Sequence, residues 1–496
     1  MVSIEASDIV DAIFSVLTVV PIYIYFDDMK GVIKDYVVDE IFHIPQAQEY
    51  CIGNFDQWND KITTPPGLYY LGAIYNKLST LVYGESDQQY QYCNMQNLRS
   101  LNFIGGLVLI LLTLILRKNC RINISTLSIY LSPLLSVYYL LFYTDIWSSV
   151  LILASYTISV VQPFNIGFVD AFFAAFVGLL SLSFRQTNIV WLGFNAVAFI
   201  DQRIKNTKSY DGSGNIFTNI TIFTKQLLQD FVVLLPFILD LGIFVFLTIK
   251  NGGITYGDKT NHEVAFHLVQ VFYCFSFITV LSIPIWISYQ FIKDYLKFVF
   301  GNFKNAATYM ISLSLIVAII ENFTVIHKFL LADNRHLTFY LFKTVIHRSE
   351  YSSFYMAPIY HFSSYTIWKM LKKSSVNKNL NQTVNLKKSR DPRSITLGSP
   401  IISLMFLICI LVTLVPSPLF EPRYFILPLI FFRILTNPNQ EPLFGGTYVL
   451  SELNAPLRLV LDGIWNFMIT QSIYVILSTY TFRWADQPGV EQRIIW

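Results

Sequence analysis

Two adjacent carboxylates, Asp39 and Glu40, open the run Asp39-Glu40-Ile41-Phe42-His43-Ile44-Pro45-Gln46. Carboxylates and an imidazole are the groups of general acid–base chemistry, and in a helix Asp39 and His43 would share one face at i, i+4. An ordinary solvated acidic helix end has the same pattern, and Pro45 could instead open a second helix. A second cluster, Trp58-Asn59-Asp60-Lys61-Ile62-Thr63-Thr64-Pro65-Pro66-Gly67, cannot be helical through its prolines and reads as a rigid loop. Its aromatics suit a membrane interface or a sugar-binding surface. Further polar groups stand in short segments between apolar runs: Asp145, Arg185, Asp258 with His262, and Asp333 with Arg335 and His336. His262 and His267 are five apart, not the i, i+4 pair of a zinc hydrolase, and no phosphate loop or dinucleotide fingerprint occurs. Asp39 and Glu40 could hold a divalent ion, but nothing in the sequence closes the shell of oxygens it requires, so no metal and no cofactor is expected.

The elements that must carry these groups follow from composition. Of 496 residues, 54% are hydrophobic and only 14% charged, and the mean hydropathy is +0.49. Soluble domains carry about a quarter charged residues, so the composition excludes a large soluble enzyme. Disorder is excluded by the abundance of apolar residues. The net charge of +3 is not gathered into a basic stripe, so no nucleic-acid partner is expected. The expected fold is an all-α polytopic membrane protein. Residues 9–26 read as a retained first transmembrane helix, because no basic residue precedes the run and no cleavage pattern follows it. Further apolar runs at 101–116, 124–142, 147–162, 165–184, 187–200, 231–249, 264–289, 306–326, 337–371, 397–415, 424–436 and 459–482 bring the count to about 11–14 spans.

Loop charge orients them. Residues 27–100 form a long polar stretch with ten acidic and five basic residues, whereas 117–121, 203–208 and 293–304 are short basic loops. Basic loops stay cytoplasmic. Counting alternately then places 27–100, 143–145, 185–188, 257–262 and 332–336 together on the opposite face. The basic stretch 372–396 reads as a cytoplasmic loop. Five cysteines show no metal-ligand spacing; Cys51 and Cys93 share the 27–100 region and could pair in an oxidising lumen, although free thiols are the default expectation.

The blocks Asp39–Gln48 and Ile62–Tyr69, then Phe142–Asp145, Arg185–Trp191, Gly257–His262, Leu330–Tyr340 and Glu421–Phe425, occur in the order and wording of one family. They closely resemble the endoplasmic-reticulum alpha-1,2-glucosyltransferases that add the final glucose to the lipid-linked oligosaccharide of N-glycosylation. The resemblance runs over nearly the whole chain, treated as a single membrane-embedded domain, and departs from the family chiefly in 372–396. It implies a GT-C-like helix bundle in the endoplasmic-reticulum membrane, with a long first lumenal loop that carries an essential acidic residue. It also implies dolichyl-phosphate-glucose as donor, a diglucosylated dolichyl-diphosphate-linked oligosaccharide as acceptor, and contact with membrane lipids.

A beta-linked donor and an alpha-linked product require inversion in one displacement, so one carboxylate must accept the proton of the attacking hydroxyl. Asp39 is the expected base, with Glu40 second. Successive helical residues point about 100° apart, so only one is expected to reach the hydroxyl. The leaving dolichyl phosphate needs positive charge rather than an acid, from Arg335 with His336, from Arg423, or from Arg185; each could equally be an arginine snorkelling at a span end. His43, Gln46, Asp145, Asp258, His262 and Asp333 complete the expected substrate-binding set. Two other classes compete. A transporter or flippase would use the intramembrane Asp170 or Asp240, and a non-catalytic channel-associated subunit would tolerate loss of Asp39.

Overall fold

The computed structural model describes residues 6–84, 90–120, 129–206, 216–259, 263–376, 397–439, 441, 443, 451–485 and 487–496. Most of the expected basic loop 372–396 and His262 lie outside them. The described chain is helical almost throughout and is a multi-pass membrane protein, in agreement with the expected class. Among the described residues, three helices are both long and apolar enough to cross a bilayer: Met95–Cys120, Phe303–Phe323 and the Leu457–Thr479 part of Ser451–Thr479. Five further apolar helices are shorter, among them Asp145–Val161, Gly167–Leu182 and Pro400–Leu414.

The core is built around Asp145–Val161, which packs against Met95–Cys120, Gly167–Leu182 and Asn188–Asn206. Small residues permit this close approach. A methyl added at Gly105 would stand 2.7 Å from Ile146 Cγ2, so the two helices meet through a missing side chain.

One expected span is corrected. The run 124–142 reads as a membrane helix by hydropathy, but Pro133–Ser136 is a single short turn followed by a 3-10 turn at Val137–Tyr139. Every residue from 129 to 146 is buried in protein. Irregular backbone is tolerated at membrane depth only where protein covers it, and hydropathy cannot tell such a segment from a lipid-facing helix.

Within 27–100 two helices stand out from the polar sequence, Glu40–Cys51 and Gly67–Tyr83, which pack together. Cys51 and Cys93 are joined by a disulfide across a separation of 42 residues, correcting the free-thiol expectation. Pro45 lies inside the helix Glu40–Cys51 rather than opening a second one. An antiparallel hairpin, Thr481–Trp484 paired with Gln487–Arg493, is an addition to the expected all-α class.

Candidate active site

Asp39 is the N-cap residue of Glu40–Cys51, yet its carboxylate makes no capping hydrogen bond. The residue before it, Val38, has φ of +50°. A β-branched residue in the left-handed region is strained, at a cost of about 1–3 kcal/mol, and such strain clusters at functional sites. Tyr143 helps hold the turn: its hydroxyl meets the Asp39 amide at 2.9 Å and the Val37 carbonyl at 3.2 Å. The Asp39 carboxylate therefore faces a cavity, where Oδ2 accepts from Arg423 Nη1 at 3.2 Å.

Glu40 has a different environment. It is fully buried and takes Arg99 as a fork, with Nε to Oε1 at 2.9 Å and Nη2 to Oε2 at 2.6 Å. The amides of Val37 and Phe142 donate to the same two oxygens at 3.0 and 2.8 Å. Both oxygens are thus occupied and Glu40 does not line the cavity. Arg99 also donates to the carbonyls of Ile33 and Asp35, so the pair fastens the end of the first helix, the strained turn and the Phe142 segment to one another.

The cavity, of about 600 Å³, is lined by Asp39, His43, Lys61–Thr64, Thr144, Arg185–Thr187, Ile254, Thr255, Asp258, Asp333, Arg335, His336, Glu421, Arg423 and Tyr424. All five segments expected on one face contribute to it. Apolar side chains line it as well, among them Phe42, Phe329, Leu330, Phe339, Leu419 and Phe420. One enclosure therefore offers charge and hydroxyl groups beside a greasy surface.

Three arginines enter it, each held by a carboxylate. Arg423 bonds Glu421 as well as Asp39. Arg335 bonds Asp333 through Nε and Nη2 at 2.9 and 2.7 Å. Arg185 bonds Asp145 at 2.8 Å. Asp145 itself is 2% exposed and lines only a small adjoining hole, with Oδ2 unpartnered among the described residues. Burial works to raise the Glu421 carboxyl, but the charge and hydrogen bond of Arg423 outweigh it and bring it down to about 2. At Asp333 burial is likewise outweighed by the hydrogen bond and charge of Arg335, so that carboxyl sits below its usual range.

His43 is neutral at physiological pH because burial lowers it to about 4; its Nδ1 lies 2.7 Å from the Tyr69 hydroxyl. Gln46 does not reach the cavity. It bonds the Gln57 carbonyl and the Asn59 amide, and so fixes the loop that presents Lys61–Thr64. That loop is sewn to 254–258 by Tyr256 N to Thr63 O, Asp258 N to Asp60 O, and Gln186 Nε2 to both Thr63 O and Ile254 O. Among the described residues no three His, Cys, Asp or Glu side chains converge as metal ligands would. Sequence reasoning missed Glu421, Tyr143 and Arg99. Glu421 was legible, standing two residues before Arg423, but Tyr143 and Arg99 act across separations of 104 and 59 residues.

An all-α multi-pass membrane protein with an amphipathic, carboxylate- and arginine-lined cavity has the parts of a glycosyltransferase acting on lipid-borne sugars. The chain belongs to the DIE2/ALG10 family, which it matches over residues 33–434. It is 39% identical over 468 residues to a protein of Debaryomyces hansenii, covering 94% of both chains, and 38% identical over 482 residues to one of Candida glabrata, covering 94% of this chain and 89% of that one. It is 30% identical over 511 residues to a human protein, covering 95% of each. All three are named Dol-P-Glc:Glc(2)Man(9)GlcNAc(2)-PP-Dol alpha-1,2-glucosyltransferase. No solved structure matches the chain.

Proposed function

We propose that this chain is an inverting alpha-1,2-glucosyltransferase. It moves glucose from dolichyl-phosphate-glucose to a diglucosylated dolichyl-diphosphate-linked oligosaccharide, with its cavity on the lumenal face of the endoplasmic reticulum. The observation that carries the reading is one cavity lined by Asp39 together with three arginines, one of them paired with it. Asp39 and Arg423 are brought together across 384 residues. The nearly full-length relationship to proteins named for this reaction supports the same reading.

The 2-hydroxyl of the acceptor's terminal glucose attacks C1 of the donor glucose from the face opposite the phosphate. As the new C–O bond forms, the C1–O(phosphate) bond breaks with its electron pair, and the hydroxyl proton passes to Asp39. The departing dolichyl phosphate carries the negative charge, which arginines fixed beforehand stabilise without reorganisation. Arg423 has two roles in this scheme. In the empty cavity it neutralises Asp39, and an arriving phosphate competes for the same guanidinium, which frees the carboxylate to act as a base. Glu40 serves by fixing the turn that presents Asp39. The apolar lining residues receive the polyprenyl chains, and Lys61, Thr63, Thr64 and Asp258 face the acceptor sugars.

Asp170 and Asp240, the residues a transporter would use, are absent from the cavity lining. Asp170 instead accepts from the Phe164 amide at 2.9 Å, next to its own helix start. The test is transfer itself: purified protein with dolichyl-phosphate-glucose and a diglucosylated acceptor should yield a triglucosylated product with a terminal alpha-1,2 linkage. Folded protein that leaves the acceptor unchanged refutes the reading.

A further inference from the structure

The hairpin at 481–496 lies beyond residues 33–434, over which the family match extends. A two-stranded hairpin is marginally stable alone; the tip of this one, 487–490, is exposed, whereas Gln492, Arg493 and Ile495 beyond it are buried. One set of its contacts reaches the Arg335 segment. Ile495 N donates to the Arg335 carbonyl at 2.8 Å, and Leu337 N donates to the Ile495 carbonyl at 2.7 Å. His336 Nδ1 lies 2.7 Å from the Trp496 carbonyl oxygen. Trp484 Nε1 donates to Asn334 Oδ1 at 2.9 Å, and the Arg335 guanidinium stands 4.5 Å from the centre of the Trp484 ring. Asp333 thus fixes the edge of the guanidinium, and the Trp484 ring fixes its face.

The hairpin is also anchored away from the cavity. Arg493 donates to the carbonyls of Val32, Leu477 and Ser478, and Trp496 Nε1 donates to the Pro133 carbonyl at 2.6 Å. Val32 ends the first helix, seven residues before Asp39. The hairpin therefore ties the Arg335 segment to the frame that carries the turn at Asp39.

We propose that the C-terminal hairpin is a positioning element of the catalytic cavity, and that Trp484 is the residue that holds Arg335 ready for a lipid phosphate. This rests on the glucosyltransferase reading only in naming the phosphate as that of the donor. A ring over a guanidinium leaves the remaining N–H groups pointing outward in its plane, the geometry an oxyanion requires. Trp484 touches no substrate in this scheme; it acts through Arg335.

The test is equilibrium binding of farnesyl phosphate to the full-length protein in detergent, with thermal unfolding measured in parallel. Trp484→Leu keeps apolar bulk and loses the π face, and it should weaken binding by about 3- to 30-fold with an unchanged midpoint. Trp484→Phe should recover most of the loss, and Trp484→Leu should add nothing in an Arg335→Gln background. Wild-type protein that does not bind the phosphate overturns the proposal. So does a Leu variant equal to wild type or to the Phe variant, or one whose effect persists undiminished without Arg335. Glucose transfer by the wild type is scored separately: phosphate binding with this dependence but no transfer would remove the enzymatic reading and leave the role of the hairpin standing.

Discussion

Asp39→Asn and Glu40→Gln remove neighbouring charges, and the two changes should fail in opposite ways. Asp39 is about one-third exposed and meets the protein's charges through one contact to Arg423, at 3.2 Å. Losing a partly exposed pair of this kind costs about 1 kcal/mol or less. As the base, however, Asp39 contributes about 10²–10⁴-fold to turnover, or about 3–5 kcal/mol of barrier. The Asn variant should therefore fold, bind both lipids and turn over 10²–10⁴ times more slowly, an order-of-magnitude range. Glu40 is fully buried and compensates the guanidinium of Arg99, itself 1% exposed. A glutamine there leaves that cation unpaired and turns an amide NH₂ towards donors, and breaking such a buried pair costs about 3–5 kcal/mol. The Gln variant should lower the thermal midpoint and yield. Its remaining folded fraction should keep far more activity per molecule than the Asn variant. The assay is transfer to a diglucosylated acceptor, normalised to folded protein by size-exclusion and thermal scans. Full turnover by Asp39→Asn, or a Glu40→Gln protein as stable as wild type but inactive, would refute the division of roles.

Arg423→Gln should reduce turnover by about 10²–10³-fold, and Arg423→Lys should not restore it, since a point charge cannot fork between Asp39 and phosphate; transfer kinetics at saturating acceptor decide this. His43 has a folded value of about 4 against about 6.5 unfolded, so the unfolded chain binds the extra proton between those values. Stability should thus fall as pH drops from about 6.5 towards 4, by about 1–2 kcal/mol on reaching pH 5; thermal midpoints of wild type and His43→Gln across that range should show a flatter profile for the variant. Maleimide labelling of denatured, non-reduced protein should count three thiols, Cys120, Cys274 and Cys409, and a count of five would deny the disulfide. A cysteine at exposed Asp56 should label from the lumen and one at exposed Lys304 from the cytosol; labelling from one side alone would break the assigned orientation. Gly257→Ala would place a methyl 2.3 Å from the Asp60 carbonyl and part the two sewn loops, so the KM for acceptor should rise more than that for donor.

The gathering of polar segments on one face was legible because charge asymmetry fixes orientation and orientation fixes which loops can meet. Asp39, Arg185, Arg335 and Arg423 all line the cavity. Pairings within the site were not legible. Nothing in the neighbourhood of Arg99 marks it as the counterion of Glu40, since it sits in the first turns of an apolar helix where snorkelling is the ordinary reading. Gln46 matched a family block yet holds backbone, because a block records which residues recur and not which way they face. Hydropathy misread 131–142 because burial in protein and burial in lipid favour the same side chains.

The distance in sequence between Asp39 and Arg423 also sets an order of events during synthesis. The loop bearing Asp39 is translated 384 residues before its arginine, and the residues that dock against Arg335 come later still. Contacts this remote form late, after the loop-closure cost of everything between them has been met. Both cysteines of the disulfide, Cys51 and Cys93, by contrast belong to the first hundred residues. A chain that stops between residues 93 and 423 thus holds both cysteines of the first loop but lacks Arg423, the counter-charge at its carboxylate.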